Sequence, residues 1–304
     1  MSKPKLITVS GPTAIGKTAF AVSLAKRLGC SVLSSDARQC FKELKIGTAV
    51  PDTPELEGVP HYLLQHKSIH DVYSVGDFEK EALQLLATLF QKQRVAVLVG
   101  GSNLYTDAVV HGLDHFPEVP KKVSNLWKEA LESKGLRYLQ EELARLDPAY
   151  FAQVDIQNHV RLIRALSVCT ATGVPYSSFL GKQREERPFE VTSIELTMTR
   201  EQLYQRINAR VDRMIEAGLL EEVRSLLPHK ELNALQTVGY KELFPFLEGQ
   251  ASLEDCITEI KKNTRRFAKR QLTWLRNHPC MHQISYDTKV DAALLTQLGL
   301  EEFI

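Results

Sequence analysis

Runs of consecutive apolar residues alternate with stretches of helical periodicity over the first hundred positions. The apolar runs LITVS (6–10), SVLSS (31–35) and VAVLVGG (95–101) are typical of strands that are buried on both faces. Residues 17–28 and 77–93 space their apolar side chains as a helix does, so both are predicted to be helical. Strands separated by helices of this length predict a parallel sheet with crossover helices.

This alternation stops near residue 113. Residues 123–170 have helical periodicity with a break at Pro148, and residues 172–178 are predicted to form a loop. The run SIELTM (193–198) is strand-like again and is predicted to rejoin the sheet. Further helices are predicted at 200–217, 219–227 and 252–277.

Composition and cysteine usage narrow the class of protein. The chain has 304 residues, of which 43% are hydrophobic and 25% charged, as in soluble globular proteins. No run approaches the length of an apolar membrane span, and the N-terminal residues MSKPKLITVSGPT lack the pattern of a signal peptide. Five widely spaced cysteines without a CxxC pair argue against a disulfide framework and against a zinc site. We therefore expect a cytoplasmic protein.

The distribution of charge is more informative than its sum. The net charge is +1, yet the segment KKNTRRFAKRQLTWLR (261–276) contains seven Lys or Arg and no acidic residue, which leaves −6 on the rest of the chain. One strongly basic segment on a mildly acidic protein indicates a localised site for a polyanion.

A phosphate-binding motif lies between the first strand and the first helix. The pattern G-x-x-x-x-G-K-[ST] is matched by Gly11, Pro12, Thr13, Ala14, Ile15, Gly16, Lys17 and Thr18. Its glycines let backbone N–H groups converge on phosphate oxygens, and the helix N-terminus adds its dipole. Lys17 is predicted to neutralise bound phosphates and the Thr18 hydroxyl to bind Mg²⁺. The motif alone leaves open whether the phosphates belong to a nucleotide or to another diphosphate.

These patterns together define the expected fold. We predict an α/β protein with a P-loop NTPase-like parallel sheet, flanking helices and an inserted all-helical domain. The catalytic core with the basic C-terminal helix is expected to occupy residues 1–112 and 191–304, and the insertion residues 113–190.

Asp36 follows the second strand, at the edge where open α/β sheets bind their ligands. Its carboxylate there has three candidate roles: binding Mg²⁺, acting as a general base, or capping the following turn.

Several further segments make the sequence resemble a known family. They are SSDARQCFKELKIGTAVP (34–51), VLVGGSNLY (97–105), TVGYKEL (237–243) and NTRRFAKRQLTWLR (263–276). Together with the phosphate loop they are similar to the tRNA dimethylallyltransferases, also called isopentenyl-tRNA transferases, from about residue 6 to residue 277.

The resemblance implies prenyl transfer with Mg²⁺. A dimethylallyl group would move from dimethylallyl diphosphate to the N6 amine of the adenosine just 3′ of the anticodon in certain tRNAs. The phosphate loop would hold the allylic diphosphate, with Thr13 near the leaving oxygen and Arg206 near the diphosphate. Asp36 would bind the adenine amine. The partners would be the tRNA anticodon stem-loop and dimethylallyl diphosphate, and we expect a monomer.

The same resemblance assigns the contacts with tRNA. They are Asp36, Ala37, Arg38, Gln39, Ser102, Gln157, Asn158, His159, Val160, Arg161, Gln236, Thr237, Val238, Gly239, Tyr240 and Lys241. Arg161 and Arg164, one helical turn apart, suit backbone phosphates. A base stacked in a duplex cannot reach the donor, so the adenosine is expected to be flipped into a pocket.

The sequence departs from the family pattern at a few positions. Ile15 replaces a commoner serine, Cys40-Phe41 a valine–tyrosine pair and Ser102 a threonine, while Asp155-Ile156-Gln157-Asn158 replaces His-Pro-Asn-Asp. Lys122 or Val123 falls where the family has an arginine. These differences leave the predicted chemistry unchanged and concern the contacts with tRNA.

The basic C-terminal helix is predicted to have one buried face, formed by Ile257, Ile260, Thr264, Phe267, Gln271 and Leu275. Its cations are predicted to contact RNA or diphosphate, with a solvated surface as the alternative. Trp274 is predicted to lie in the core rather than to stack on a base.

Arginines and histidines elsewhere receive simpler predictions. Arg210 and Arg213, which share a helix face with Arg206, are predicted to be surface residues or RNA contacts. His61 and His66 are predicted to be ordinary loop residues, since no histidine spacing suggests a metal site.

Two other functions remain open at this point. An ATP-dependent kinase of a nucleotide or small metabolite would share the phosphate loop and Asp36 but gives no reason for the basic helix. An RNA-binding module that uses a nucleotide as a switch would explain the basic helix but not the placement of Asp36.

Overall fold

The structure is a computed structural model that describes residues 3–181 and 186–303. It contains two compact units: a larger one, formed by the chain up to His111 and again from Arg187 onward, and a smaller one, Gly112–Glu186. The predicted insertion, 113–190, therefore extends four residues too far. Arg187 belongs to the larger unit because its guanidinium donates to the Glu79 carboxylate and to the Ala108 carbonyl, and Phe189 is buried in the same unit.

One parallel sheet forms the centre of the larger unit. Its strands are β1 (Lys5–Ser10), β2 (Ser31–Ser34), β3 (His61–Tyr62), β4 (Val95–Val99), β5 (Glu190–Thr197) and β6 (His282–Ser285). Their order in the sheet is β3-β2-β4-β1-β5-β6, and every neighbouring pair is parallel. Strands β1, β2 and β4 lie at the predicted apolar runs, whereas β5 begins at Glu190, before the strand predicted at 193–198. The edge strands β3 and β6 were missed because each is short and carries polar side chains.

The helices of the first part of the larger unit are α1 (Lys17–Leu28), α2 (Thr53–Leu56), α3 (Val75–Leu89) and α4 (Asn103–His111). Helix α3 begins two residues before the predicted start because Ser74 and Asp77 form a capping box. Helix α1 begins directly after the phosphate loop, as predicted, so its N-terminal N–H groups face the loop.

The smaller unit contains α5 (Lys121–Leu146), α6 (Pro148–Phe151) and α7 (His159–Thr172). The helical stretch predicted for 123–170 is thus interrupted more than once, with a kink at Gly135 (φ 78°) inside α5 as well as the break at Pro148. The buried Asp147 carboxylate accepts N–H groups from Tyr150 and Ser177 and stabilises this break. The unit has its own apolar core.

The remaining helices of the larger unit are α8 (Arg200–Glu216), α9 (Leu219–Leu226), α10 (Phe244–Leu247), α11 (Leu253–Asn277) and α12 (Ala292–Gln297). Residues 3–181 and 186–303 include no helix with the length and apolarity needed to cross a bilayer.

Apolar residues cover both faces of the sheet. Alternate strand residues face opposite sides: Ile7 and Val97 pack against α1 and the C-terminal region, whereas Leu6 and Leu98 pack against α3 and α4. A separate core joins α9 and the first half of α11 to residues 40–44. This arrangement holds the carboxyl ends of β1, β2 and β4 at one edge of the sheet, where the phosphate loop and Asp36 lie.

Candidate active site

The backbone of the phosphate loop takes positive φ angles, which are energetically unfavourable for residues other than glycine. Gly11 (φ 145°), Ala14 (φ 66°) and Gly16 (φ 106°) all lie at positive φ. A Cβ atom at Gly11 would also lie 3.1 Å from the carbonyl oxygen of Leu196, so this position requires glycine for space as well as for its torsion. The glycines therefore shape the loop, as the sequence pattern predicts.

A cavity of about 800 Å³ opens beside this loop. Five of the eight predicted phosphate-binding residues line it: Thr13, Ala14, Gly16, Lys17 and Thr18. The other three, Gly11, Pro12 and Ile15, do not line the cavity, and their predicted backbone role in phosphate binding stays a prediction. The Ile15 side chain is fully buried in the core below the sheet edge, and Gly11 and Pro12 are buried in the turn.

Lys17 is held by the loop itself. Its Nζ donates to the carbonyl oxygens of Gly11 (3.0 Å) and Pro12 (2.9 Å), which is how these two residues contribute to the site. Burial and, secondarily, the nearby Arg210 lower the pKa of Lys17 to about 8, while Asp36 partly offsets this. Its two hydrogen-bond partners are neutral carbonyl groups, so a dianionic ligand in the cavity would give this ammonium group an anionic partner.

The two carboxylate oxygens of Asp36 have different surroundings. Oδ1 accepts the N–H groups of Arg38 (2.8 Å) and Gln39 (3.2 Å), so the predicted capping role is real. Oδ2 accepts no hydrogen bond from the described residues, and Asp36 lines the cavity. One oxygen thus fixes the following turn, and the other remains available to a ligand.

Lys17 and Asp36 meet beside Gly101. A Cβ atom built on Gly101 would lie 3.8 Å from both Asp36 Oδ2 and Lys17 Nζ, and 2.7 Å from Gln271 Nε2. Neighbouring Gly100 is equally constrained, since a Cβ there would lie 2.3 Å from Ser35 Oγ. Gly101 therefore leaves open the space beside the ammonium group and the carboxylate, while Gly100 allows the close approach of Ser35.

Arg206 lies beside the phosphate loop. Its Nε donates to the carbonyl oxygen of Ala14 (2.9 Å), in the middle of the phosphate loop. Arg213 is exposed, as predicted for a surface residue, whereas Arg210 is partly buried; both line the cavity with Arg206, which the prediction did not foresee. Arg210 donates to the Thr48 carbonyl, and burial lowers its pKa. Nothing in the arginine spacing shows which way this helix face turns.

His61 also belongs to the cavity and not, as predicted, to an ordinary loop. It lies on β3, lines the cavity and pairs its Nδ1 with the Val59 carbonyl oxygen (2.9 Å), which fixes the proton on Nδ1. Burial lowers its pKa, so the ring is held neutral. His66 instead lies outside this cavity and hydrogen-bonds to Glu81. The short edge strand that carries His61 gave no sequence pattern by which to place it.

The residues predicted to contact tRNA beside Asp36 form a connected turn. The Ser102 hydroxyl accepts the Ala37 N–H (3.0 Å), Arg38 donates to the Asn233 carbonyl, and Gln39 donates to the carbonyls of residues 48 and 49. All of these side chains are partly exposed. They remain candidates for RNA contact, with part of their hydrogen bonding already used inside the protein.

The predicted contact segment 236–241 is divided between exposed and buried residues. Gln236 and Lys241 are exposed, and Thr237 and Val238 are half-buried. Gly239 and Tyr240 are buried, and Tyr240 is 0% exposed with its hydroxyl donating to Glu222 (2.6 Å), so the prediction of direct tRNA contact is wrong for these two. Glu222 also accepts N–H groups from residues 45–47, so Tyr240 stabilises a loop of the cavity.

In the smaller unit, Gln157–Arg161 surround the start of α7. Asn158 caps the helix through its side-chain oxygen, which accepts the Arg161 N–H. Val160 is 64% exposed, and Arg161 and Arg164 are exposed too. An exposed helix N-terminus with two arginines is consistent with the predicted contact with backbone phosphates.

The cations of α11 fall into two groups. Lys261 pairs with Asp212, Lys262 with Glu259, and Arg265 donates to Asn208. The exposed cations are Arg266, Lys269, Arg270 and Arg276. These four form a basic surface along one side of the helix.

Two aromatic predictions for α11 are wrong. Phe267 is 37% exposed and lines the cavity rather than the core, and Trp274 is half-buried and stacks on His278 with ring centroids 4.1 Å apart. The buried positions are Cys256, Ile260, Ala268, Gln271 and Leu275. Ala268 is buried in place of Phe267 because the Phe267 side of the helix borders the cavity and Ala268 packs with Leu203 and Ile207 of α8. All five cysteines are free thiols, as expected.

The fold and cavity define a phosphate-loop α/β protein with a carboxylate facing the loop. A family model described as IPP transferase matches residues 39–278. The chain is 53% identical over 282 residues to a tRNA dimethylallyltransferase of Christiangramia forsetii, covering 93% of each chain. It is 47% identical over 299 residues to a tRNA dimethylallyltransferase of Flavobacterium psychrophilum, covering 96% of this chain and 97% of the relative.

A solved structure agrees with this match. The full-length tRNA isopentenylpyrophosphate transferase of Bacillus halodurans superposes with a TM-score of 0.70 at 36% identity, over 99% of this chain and 95% of that chain. The chain belongs to the IPP transferase family. The family resemblance and the fold class predicted from the sequence are confirmed.

Proposed function

We propose that this chain is a tRNA dimethylallyltransferase, which transfers a dimethylallyl group from dimethylallyl diphosphate to the N6 amine of the adenosine 3′ of the anticodon. The observation that carries the proposal is the opening beside Gly101, which Lys17 Nζ and Asp36 Oδ2 both face. A cation for the departing diphosphate and a hydrogen-bond acceptor for an amine are what this reaction needs at its two ends.

The donor side stabilises the leaving group. As the bond from the allylic carbon to oxygen breaks, its electron pair stays on the diphosphate, and positive charge develops on the allylic carbon. Lys17 and the N-terminal N–H groups of α1 carry positive charge where the negative charge accumulates. Arg206 and Arg210 add two guanidinium groups to the same cavity.

The acceptor side activates a weak nucleophile. The lone pair of the adenine N6 is delocalised into the ring, so the amine attacks poorly by itself. Asp36 Oδ2 accepts an N–H of this amine, raises its nucleophilicity as the new C–N bond forms, and takes the proton that N6 must lose. Thr13 lines the cavity on the donor side and is assigned to the bridging oxygen of the leaving group.

A magnesium ion fits the residues of the loop. Among residues 3–181 and 186–303 no three His, Cys, Asp or Glu side chains are grouped to hold a metal. Thr18 lines the cavity at the start of α1 and supplies a hydroxyl oxygen, the type of ligand that Mg²⁺ takes together with phosphate oxygens. Bound there, the ion would add positive charge beside the diphosphate.

The tRNA is proposed to lie against two separate surfaces. In the larger unit these are the turn 36–39 with Ser102 and the basic surface of α11. In the smaller unit it is the start of α7, with Arg161 and Arg164. RNA loops are recognised through splayed bases and phosphates, which suits such a divided footprint. The cytoplasmic location and the monomeric state stay predictions.

The kinase alternative finds no support in the comparisons. Relatives that cover more than nine tenths of this chain are named tRNA dimethylallyltransferases.

The acceptor atom can be tested directly. Radiolabelled dimethylallyl diphosphate is incubated with the protein, Mg²⁺ and an anticodon stem-loop RNA that has adenosine 3′ of the anticodon. A matched RNA carries purine riboside there, which lacks only the exocyclic amine. We expect label to enter the first RNA alone. Equal labelling of both RNAs would contradict N6 as the acceptor.

A further inference from the structure

Gln271 is a buried polar residue that the mechanism above does not use. It lies on α11, within the basic segment, and is only 5% exposed. Its Oε1 accepts the Thr13 N–H (2.8 Å), and its Nε2 donates to the Gly101 carbonyl oxygen (2.8 Å). One side chain therefore joins the C-terminal helix, the phosphate loop and the glycine turn that ends β4.

The orientation of this amide is fixed by its partners. A flipped amide would set Nε2 against the Thr13 N–H and Oε1 against the Gly101 carbonyl, so both contacts would become repulsive. Burial prevents water from replacing either bond. Glutamine is the side chain of this length that offers an acceptor and a donor in this arrangement without a titratable group.

The contact holds the part of the loop with the least favourable backbone. Ala14 is a non-glycine residue at positive φ (66°), a conformation that persists only where the surroundings enforce it. Gln271 binds the N–H of Thr13 on one side, and Arg206 binds the carbonyl oxygen of Ala14 on the other (2.9 Å). The Thr13–Ala14 pair is thus held at both ends by side chains from outside the loop.

We propose that Gln271 is a positioning residue for prenyl transfer: it holds Thr13 at the leaving oxygen and keeps Gly101 clear of the reacting groups. The proposal rests on the proposed function, since Thr13 receives its role from that reaction. Gln271 lies in the wall of the cavity with its amide oxygen and nitrogen bonded to Thr13 and Gly101, so its proposed effect acts through these two residues. Its effect should appear in the chemical step more than in the binding of RNA.

Replacement of Gln271 by methionine removes both hydrogen bonds at nearly constant volume. We expect kcat for transfer to fall about a hundredfold, because a loop displaced by about 1 Å misplaces the leaving group. The affinity for stem-loop RNA should stay within about twofold, since the exposed cations of α11 are unchanged. The exposed Gln250 gives the matched control, Gln250→Met, which should behave as wild type.

Replacement by glutamate supplies a readout that a purely structural role would not give. When protonated, the carboxyl group donates its O–H to the Gly101 carbonyl and accepts the Thr13 N–H, as the amide does; when ionised, it repels that carbonyl and the diphosphate. The kcat of Gln271→Glu, divided by that of the wild type at each pH, should therefore rise as pH falls. The kcat of Gln271→Glu and that of the wild type are both measured well below the melting temperatures of the two proteins, so that unfolding does not contribute to the ratio.

Two results would overturn the proposal. One is a folded Gln271→Met protein whose kcat remains within about twofold of wild type. The other is a Gln271→Glu ratio that does not change with pH. Failure of the proposed function itself would look different, because the wild type would then transfer no prenyl group. In that case the affinity of wild type and Gln271→Met for inorganic diphosphate still tests whether Gln271 holds the loop, and equal affinities would refute it.

Discussion

The divided surroundings of Asp36 predict that two substitutions at this position differ in stability but not in activity. Asp36→Asn retains an oxygen at Oδ1, which can still accept the N–H groups of Arg38 and Gln39, and replaces only the free Oδ2. Asp36→Ala removes both hydrogen bonds. Two partly buried N–H groups that lose their acceptor cost about 1–2 kcal/mol in the free energy of unfolding.

The catalytic loss should be alike in both variants. An amide nitrogen at Oδ2 donates where the reaction needs an acceptor, and alanine offers neither. Removing a general base lowers the rate about 10²–10⁴-fold, so kcat should fall by that factor in each variant. The free energy of unfolding of Asp36→Asn should lie within about 0.5 kcal/mol of the wild-type value. That of Asp36→Ala should be lower than wild type by about 1–2 kcal/mol.

The assays are urea unfolding for stability and single-turnover transfer of label to stem-loop RNA for chemistry. RNA affinity, measured by fluorescence anisotropy, should change little in either variant. The reasoning is refuted if Asp36→Asn keeps more than about a tenth of the wild-type rate. It is also refuted if Asp36→Asn is as unstable as Asp36→Ala, because Oδ1 would then not be the capping atom.

Three further predictions follow from the same geometry. Lys17 is charged below its pKa of about 8, so kcat/KM for dimethylallyl diphosphate should decline as pH rises past that value, and a flat profile from pH 7 to 9 would contradict it. Gly47→Ala would place a Cβ 2.5 Å from the ring of the fully buried Tyr240, which should cost about 1–3 kcal/mol by urea unfolding, whereas Gly76→Ala, 3.7 Å from its nearest neighbour, should cost nothing. The affinity for stem-loop RNA should fall as salt rises, and Lys269→Ala should lower the slope of log K against log salt by about 1; a slope unchanged in this variant would remove α11 from the footprint.

Features that depend on residues close together in the sequence were predictable from it. The strands β1, β2 and β4 were found because each contains a run of apolar residues, and the second half of β5 because Ile194 and Leu196 alternate with polar residues. The loop was found because its glycines and Lys17 occur at fixed spacing. The placement of Asp36 followed from the rule that ligands bind at the carboxyl ends of parallel strands. These inferences need only one segment at a time.

The errors arose where distant segments determine the environment. Tyr240 belongs to a segment with polar residues, yet Glu222 and Gly47 enclose its ring and hydroxyl. Phe267 has the spacing of a core residue, yet it faces the cavity of the phosphate loop. Nothing within either segment encodes these neighbours, because they come from other elements brought together by the sheet.

For Gln271, burial could be predicted from the sequence but its hydrogen-bond partners could not. Its position on the apolar stripe of α11 correctly predicted burial, but a buried glutamine needs partners, and those lie 258 and 170 residues away along the chain. The sequence indicates that such partners exist without saying which they are. The role in holding the phosphate loop became visible only in three dimensions.

The central claim is that this phosphate loop serves a prenyl diphosphate and that Asp36 receives an adenine amine opposite it. The most direct measurement is the mass of an unmodified anticodon stem-loop RNA after incubation with the protein and Mg²⁺, with either dimethylallyl diphosphate or ATP as donor. We predict a gain of one C5H8 unit on the adenosine 3′ of the anticodon with the diphosphate, and no gain with ATP. An unchanged RNA mass together with consumption of ATP would contradict the account and indicate that the phosphate loop binds a nucleotide.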